Sequence, residues 1–515
     1  MRLKFQLSDR MVTINVQPDV WMENGTENLY RLLNGLEGCS VGIENNSLNI
    51  EISDQEKFLR NFANRIKQKQ YEIIFVKLLD KKTHQPIKRL KPYVLQQFYL
   101  KQEDPLFKEE KRIKTIKAIL DSIKTGNKDR YCVICGNKFG KPVRKNLTQG
   151  VYPFVTKIKS LSGVRILKEN YDNLCPLCYL IGTLEWLDEG IIYRCFLGSG
   201  ERTYSVIFLP FEFDLKKLHE SKREYIEILK PNRNSQISNL LKIKENNIGY
   251  EGEFTTILKF FEKFVDKILQ EYKEEEIELD ELFEEVERKF CKYWIMIKIP
   301  SGQVKNIRYQ HINLNDEILH LLIVMERRSN FIYDNIINKI GIEAQGLSPQ
   351  QKNKIISEKK ELMARYVLKN DFRSFARVFL PKKNRTIYYG DLNTLNELIK
   401  LWRLKKMELE TEIENLKTAG KCLAVVLRDH LSILYNMDKA RTKEEFIRSL
   451  EQACKRLIGM KEKEREKIYP PALESITDLI VKSKGSEWQT IRDVLLIYTS
   501  ISLSKFEYKE KGGEE

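Results

Sequence analysis

Two cysteine pairs place the tightest constraint on what this chain of 515 residues can fold into. Cys132 and Cys135 form the first pair, CVIC, and Cys175 and Cys178 form the second, CPLC. Two residues between cysteines let both thiolates of a tight turn face one tetrahedral ion, with Zn–S distances of about 2.3 Å. The spacing therefore predicts a structural Zn²⁺ ion with these four cysteines as ligands, since four thiolates leave no open position for water.

Disulfide bonds and redox-active CxxC motifs are the two alternatives to a metal site. The chain has nine cysteines, an odd number, and its first residues, MRLKFQLSDR, lack the apolar segment of a secretory signal, which argues against disulfides. Two copies of the motif without a thioredoxin-like βαβ context argue against redox chemistry. The other five cysteines are scattered and are expected in the core.

Basic residues concentrate in the segment that contains the first cysteine pair. Residues 111–170 hold fifteen Lys and Arg against three acids, a balance of 15 − 3 = +12, while the whole chain has 89 − 73 = +16. A lysine-rich genome is one explanation for the total, but it would spread the excess evenly along the chain. The clustering favours a surface that faces the phosphates of a nucleic acid.

The candidates for nucleic-acid contacts are bases beside the cysteines and bases that precede the helical C-terminal part. They are Lys138, Lys141, Arg144, Lys145, Arg377, Lys382, Lys383 and Arg385. The first four lie on the loop that the metal would fix, so they would lose less entropy on binding phosphate than on a free loop. The last four either steer a nucleic-acid strand or form an ordinary solvated linker.

Aromatic residues alternate with the bases near the cysteines. They are Tyr131, Phe139, Tyr152 and Phe154. These rings either pack around the metal site or stack on nucleic-acid bases. Both alternatives are compatible with the sequence.

Residue patterning predicts an α+β fold, with a mixed α/β N-terminal body, a zinc-finger-like insertion and an all-α C-terminal helical bundle. Alternation of apolar and polar residues or continuous apolar runs predict strands at Leu3–Leu7, Val12–Val16, Ser47–Ile52, Tyr71–Leu79, Thr203–Phe213 and Lys292–Pro300. The predicted domains are residues 1–385, with the insertion around residues 125–185, and residues 386–515.

Helical periodicity predicts amphipathic helices at Lys108–Lys124 and Phe254–Leu269, and a short helix from Thr26, as N-cap, to Gly38. From Asp391 onward the pattern predicts five helices with short links. The first of these is expected to end at Gly420, because glycine is common just after the last helical residue.

No residue pattern typical of a catalytic site is present, so the chain is expected not to be an enzyme. GNKFGKP (Gly136–Pro142) has three residues between its glycines instead of the four of a phosphate-binding loop, and proline where Ser or Thr must hold magnesium. The five histidines form no HExxH or HxH pattern. The longest apolar runs fall far short of the ~18 residues that span a membrane, and a cytoplasmic location is expected.

These features together resemble the large subunit of type I CRISPR Cascade complexes, and most closely the zinc-containing class of subtypes I-A and I-B. The residues that carry the resemblance are CVICG (Cys132–Gly136) and CPLCYLIG (Cys175–Gly182), with the layout around them. The resemblance implies a non-enzymatic role in antiviral defence. It implies binding to the 5′ handle of the guide RNA (crRNA), recognition of the protospacer-adjacent motif in target DNA, and recruitment of a helicase–nuclease.

The partners that the resemblance implies are the guide RNA, target double-stranded DNA, the helicase–nuclease, and the backbone, handle-binding and small subunits of Cascade, without a membrane. The alternative function is a zinc-containing nuclease or an inactive polymerase-like large subunit of a type III CRISPR complex. A zinc-stabilised scaffold that binds only protein is a third possibility. Cleavage of nucleic acid would favour the nuclease, and failure to bind any nucleic acid would favour the scaffold.

Overall fold

The structure of the protein is a computed structural model. It describes residues 7–8, 11–16, 18–44, 46–70, 104–124, 129–143, 150–154, 173–196, 204–229, 252–272, 277–300, 308–344, 347–381, 385–389, 392–458, 460, 462 and 468–510. The predicted strand Tyr71–Leu79 and most of Leu3–Leu7 lie outside these residues. The chain forms two compact units, an N-terminal unit of Met1–Gly249 with Lys267–Asn313 and a C-terminal unit of Tyr250–Asp266 with Leu314–Glu515. The predicted domain boundary at residue 385 lies within the second unit and stays a prediction.

The strands form small antiparallel sheets. They are β1 (Leu7–Ser8), β2 (Met11–Asn15), β3 (Cys39–Glu44), β4 (Ser47–Ile52), β5 (Arg130–Tyr131), β6 (Lys138–Phe139), β7 (Ile192–Phe196), β8 (Tyr204–Pro210), β9 (Tyr293–Pro300), β10 (Arg308–Asn313), β11 (Ile340–Ala344) and β12 (Arg385–Tyr389). Two sheets have four strands, in the orders β1-β2-β4-β3 and β10-β9-β8-β7, and the pairs β5-β6 and β11-β12 form two-stranded sheets. The strands predicted at Val12–Val16, Ser47–Ile52, Thr203–Phe213 and Lys292–Pro300 are confirmed by β2, β4, β8 and β9.

The helices make up most of the described residues. They are α1 (Val20–Leu33), α2 (Gln55–Lys69), α3 (Glu109–Lys124), α4 (Pro176–Leu184), α5 (Leu215–Leu229), α6 (Glu253–Glu271), α7 (Leu279–Lys289), α8 (Asp316–Arg327), α9 (Pro349–Leu368), α10 (Phe372–Arg377), α11 (Asn393–Ile399), α12 (Ile413–Leu427), α13 (Leu431–Lys439), α14 (Lys443–Ile458), α15 (Pro470–Lys482) and α16 (Glu487–Glu510). Strands in the N-terminal half and the helical C-terminal region confirm the α+β fold. Among the described helices, none combines the length and apolar character needed to cross a membrane.

Helix α1 is the centre of the N-terminal unit, and 12 of its 14 residues are buried. It starts at Val20 because the carboxylate of Asp19 accepts hydrogen bonds from the backbone N–H groups of Trp21 and Met22, both at 3.0 Å. The predicted start at Thr26 is wrong. Thr26 lies inside the helix, where its hydroxyl donates to the carbonyl oxygen of Met22 at 2.7 Å and is therefore not a cap.

The helix predicted from Asp391 to Gly420 is interrupted. Helices α11 and α12 are separated by π-helical and 3₁₀-helical turns over residues 400–412. Within this stretch, Glu408 has a left-handed φ of 55°, which a right-handed helix excludes. Gly420 does not end a helix but lies within α12, which packs against α15 and α16. The apolar periodicity continues through both pieces, so the pattern alone does not reveal the break.

Candidate metal centre

The four paired cysteines meet at one point of the N-terminal unit. The Sγ atoms of Cys132, Cys135, Cys175 and Cys178 all lie within 4.8 Å of one another. The Sγ atoms of Cys135 and Cys175 are 3.7 Å apart, close to the ~3.8 Å edge of a tetrahedron of sulfurs 2.3 Å from a central zinc ion. Within the described ranges, no other group of three or more potential metal-ligating side chains is this compact. The cluster can therefore hold a metal ion.

The first cysteine pair lies on a hairpin, here called the cysteine hairpin (residues 130–141). Strands β5 and β6 pair Arg130 with Phe139 and Tyr131 with Lys138. The turn closes with a hydrogen bond of 2.9 Å from the N–H of Gly136 to the carbonyl oxygen of Cys132. Gly136 has a φ of +69°, a conformation that side chains with a Cβ rarely adopt, so glycine at this position permits the turn.

The second cysteine pair lies at the start of α4. Cys175 is the N-cap residue, and its Sγ atom accepts a hydrogen bond of 3.3 Å from the N–H of Cys178. Pro176 occupies the first helical position, where its fixed φ suits the helix and its missing N–H costs nothing. The helix start therefore directs both thiols of CPLC to the same side.

Hydrogen bonds join the two pairs directly. The N–H of Cys175 donates to Sγ of Cys132 at 3.3 Å, and the N–H of Val133 donates to the carbonyl oxygen of Asn173 at 2.9 Å. Cys132, Cys175 and Cys178 are buried, whereas Cys135 is partly exposed. Hydrogen bonds from the other thiols, that of Cys135 first, lower the pKa of Cys132. A set of four sulfur donors with backbone N–H groups directed at them suits a thiophilic ion such as zinc.

Helix α4 is anchored by α1. The indole Nε1 of Trp21 donates to the carbonyl oxygens of Val151, at 2.9 Å, and Gly182, at 3.1 Å. Position 182 requires glycine, because a Cβ there would collide with the carbonyl oxygen of Val151. About one turn earlier on α4, the hydroxyl of Tyr179 donates to Asp104, which precedes α3, at 2.5 Å. The cysteine cluster therefore rests on the buried core and not on a free loop.

Of the predicted nucleic-acid contacts near the cysteines, Lys138 and Lys141 are described, and both are exposed on the cysteine hairpin. The ammonium of Lys138 lies 5.3 Å from the ring centroid of Tyr131, which is 58% exposed. Arg144 and Lys145 lie outside the described residues. The cysteine hairpin therefore presents at least one basic and aromatic surface to solvent.

The remaining predicted contacts belong to the C-terminal unit. Arg377 makes a two-pronged ion pair with Asp438, with Nε to Oδ1 at 2.9 Å and the second N–H group to Oδ2 at 3.1 Å, and its side chain is 48% exposed. Lys382 and Lys383 lie outside the described residues, and so does the side chain of Arg385 at the start of β12. Their role in binding nucleic acid stays a prediction, and the guanidinium of Arg377 is already paired with the carboxylate of Asp438.

Sequence reasoning missed a cluster of buried charges beside α1. The ammonium of Lys222 on α5 lies 2.6 Å from Asp188 and 3.2 Å from Glu27, and all three side chains are fully buried. Arg31 also contacts Glu27, at 2.8 Å, and Asp188. Burial opposes the charged form of Glu27, but Arg31 and Lys222 outweigh burial and lower its pKa. Glu27 and Arg31 are an i,i+4 pair, but Asp188 and Lys222 are far from them in sequence, so no local pattern identifies the cluster.

The geometry shows a compact four-cysteine cluster, held by the core of an α+β protein, that is able to bind a metal ion. No protein-family model, no curated protein and no solved structure matches this chain. The function must therefore follow from what the cysteine cluster and its surroundings do chemically.

Proposed function

We propose that this chain is a non-catalytic, nucleic-acid-binding large subunit of a crRNA-guided CRISPR interference complex of the Cascade type, with a structural zinc ion. The observation that carries the proposal is the cysteine cluster, which supports an exposed basic and aromatic hairpin. Its two motifs are those that resemble the zinc-containing class of Cascade large subunits.

Zinc is the ion that fits the cluster best. Four thiolates at tetrahedral spacing are typical of structural zinc sites and leave no position open for a substrate or a water molecule. The bound ion supplies a fixed link between the hairpin and α4. The basic side chains of the hairpin then bind the nucleic acid from a fixed position.

A second basic surface supports the proposal. Helix α3 exposes Lys111, Lys114 and Lys117 on one face, while Ile116 and Ile119 on the opposite face are buried in the core. Lysines three residues apart lie on the same side of a helix and can contact successive phosphates along a backbone. Such contacts supply affinity without sequence preference, which suits a subunit whose guide RNA provides sequence recognition by base pairing.

Contact with the 5′ handle of the guide RNA, recognition of the protospacer-adjacent motif and recruitment of a helicase–nuclease are part of the same proposal. They rest on the resemblance of the two motifs and on the charge of the surrounding segment. The proposed partners are the guide RNA, target double-stranded DNA, the other Cascade subunits and the helicase–nuclease.

A salt titration tests the nucleic-acid part of the proposal. Affinity for a 20-base-pair DNA duplex and for a single-stranded RNA of the same length is expected to fall steeply as salt increases, because each neutralised phosphate releases counterions. A variant of the cysteine hairpin that loses its three exposed bases carries Arg130→Gln, Lys138→Gln and Lys141→Gln. Its slope of log affinity against log salt is expected to be shallower by about 2 to 3.

The matched control removes three exposed bases from α14, with Arg448→Gln, Lys455→Gln and Arg456→Gln. Its slope is expected to equal that of the unmodified protein. Equal slopes for both variants would contradict the role of the hairpin, and no binding at low salt would contradict the function as a whole. Cleavage of either substrate with a divalent metal would instead favour the zinc-containing nuclease.

A further inference from the structure

Three ring side chains stand together where the second four-stranded sheet meets the segment between the cysteine pairs. The ring centroid of Tyr309 on β10 lies 6.1 Å from that of Phe154 and 6.0 Å from that of His311, with interplanar angles of 88° and 85°. These edge-to-face contacts fix the rings relative to one another. We call Phe154, Tyr309 and His311 the aromatic row.

The register of the sheet explains why the row reaches solvent. Strand β10 is at the end of the strand order, and it pairs Tyr309 with Ile297 and His311 with Ile295 on β9. Directly opposed residues point to the same face of a sheet. Ile297 is completely buried in the core that contains the cysteines, whereas Tyr309 is 63% exposed. The row therefore extends the core-facing side of the sheet beyond the core.

The sequence of β9 and β10 is basic. Residues 291–315, which include both β9 and β10, contain four bases and no acid. Arg308 is exposed next to Tyr309 and lies directly opposite Lys298 in the sheet. Successive residues of a strand alternate between the two faces of a sheet, so Arg308 adds a positive charge at the exposed edge strand beside the row and not on the row's own face.

We infer that the aromatic row binds single-stranded nucleic acid by stacking on its nucleobases, while Arg308, at the same exposed edge of the sheet, attracts the phosphate backbone. Exposed aromatic rings flanked by basic side chains are the combination that binds single strands without sequence preference. A duplex hides the faces of its bases, so the row discriminates against it. The inference rests on the proposed function and names the form of nucleic acid that this surface takes.

A tryptophan at position 309 gives a direct readout of stacking. The five native tryptophans, Trp21, Trp186, Trp294, Trp402 and Trp488, are all buried. The indole introduced by Tyr309→Trp is therefore the single exposed one among the described residues, and its emission reports on this site. We expect its fluorescence to be quenched by a 20-nucleotide oligothymidylate and to change little with a 20-base-pair duplex.

Affinity measurements on the full-length chain complete the test. Tyr309→Ala is expected to weaken binding of the oligothymidylate by roughly 10- to 100-fold and binding of the duplex by less than about twofold. The salt slope for the oligothymidylate is expected to stay unchanged, because no phosphate contact is removed. The control Tyr469→Ala removes a tyrosine that is 60% exposed in the C-terminal unit, and it is expected to leave both affinities unchanged.

The outcomes separate the two levels of the proposal. If the unmodified protein binds both nucleic acids but Tyr309→Ala binds the oligothymidylate equally well, the aromatic row is not a stacking surface, while the proposed function stands. Absence of quenching on binding leads to the same conclusion. If the unmodified protein binds neither nucleic acid at low salt, both the inference and the proposed function fail.

Discussion

Replacing Cys132 and Cys175 together by serine is expected to remove one zinc ion per chain and to destabilise the N-terminal unit by several kcal/mol. The variant takes one ligand from each cysteine pair, so neither half of the cluster remains intact. Binding of structural zinc contributes about 10–16 kcal/mol in zinc-finger peptides. Here the core also supports α4, so the loss of folding free energy is smaller than in such a peptide. With a shift of 2–4 °C per kcal/mol, the thermal midpoint is expected to fall by roughly 10 °C.

The measurement is metal content by mass spectrometry, together with thermal unfolding with and without a chelator. Cys454→Ser is the matched control, since Cys454 is half-buried on α14 and is not part of the cluster. It is expected to retain the metal and the thermal midpoint. An unmodified protein without bound zinc, or a double variant with an unchanged midpoint, would show that the four cysteines are not a metal site.

The second large effect is a loss of stability at high pH, caused by a pair of buried glutamates in the C-terminal unit. Glu326, in the last turn of α8, is 7% exposed, and neither of its carboxylate oxygens has a hydrogen-bond partner among the described residues. Burial, with the nearby charge of Glu262 on α6, raises the pKa of Glu326 to about 10. Burial also raises the pKa of Glu262 to about 8, although its carboxylate accepts a hydrogen bond from the N–H of Tyr333 at 3.1 Å.

The direction of the pH effect follows from proton binding. The unfolded chain releases these protons near pH 4.5, whereas the folded chain retains them up to pH 8 to 10. Between these limits the folded state binds more protons, so the free energy of unfolding falls as pH rises. The other charged groups that act on Glu326 are Asp266 and Asp334, which strengthen the effect, and Lys263, which weakens it.

Glu326→Gln isolates this contribution because an amide replaces the protonated carboxyl without a charge. The variant is expected to match the unmodified protein near pH 5 and to be more stable by a few kcal/mol near pH 9, on the order of 1.4 kcal/mol per pKa unit crossed. Denaturant midpoints measured across this range provide the test. Glu451→Gln, at an exposed position on α14, is the control. A constant difference between Glu326→Gln and the unmodified protein at all pH values would contradict the buried protonated carboxyl.

The features that sequence predicted well are those encoded over a few residues. The two CxxC spacings predicted the convergence of Cys132, Cys135, Cys175 and Cys178, because each turn already directs two thiols to one point. Alternation of apolar and polar residues identified β2 and β4, because each strand carries its own pattern of buried and exposed side chains within five or six residues.

The features that sequence did not reveal depend on distant partners. Helix α1 is charged yet buried, because Glu27 meets Lys222 from α5. Arg377 looked like a free base in the sequence, but Asp438, 61 residues later, pairs with it. The start of α1 was misplaced because Asp19 and Thr26 are both common N-cap residues, and only the hydrogen bonds to Trp21 and Met22 decide between them.

Lysine footprinting of the zinc-loaded protein tests most directly the claim that the cysteine cluster holds a nucleic-acid-binding surface. The lysines are acylated with and without a saturating single-stranded RNA or DNA duplex, and the modification of each is quantified by mass spectrometry. Lys138 and Lys141, both exposed on the cysteine hairpin, are expected to be protected by the nucleic acid, while the exposed Lys455 on α14 is not. Equal modification of Lys138 and Lys141 in the free and the saturated protein would contradict the claim.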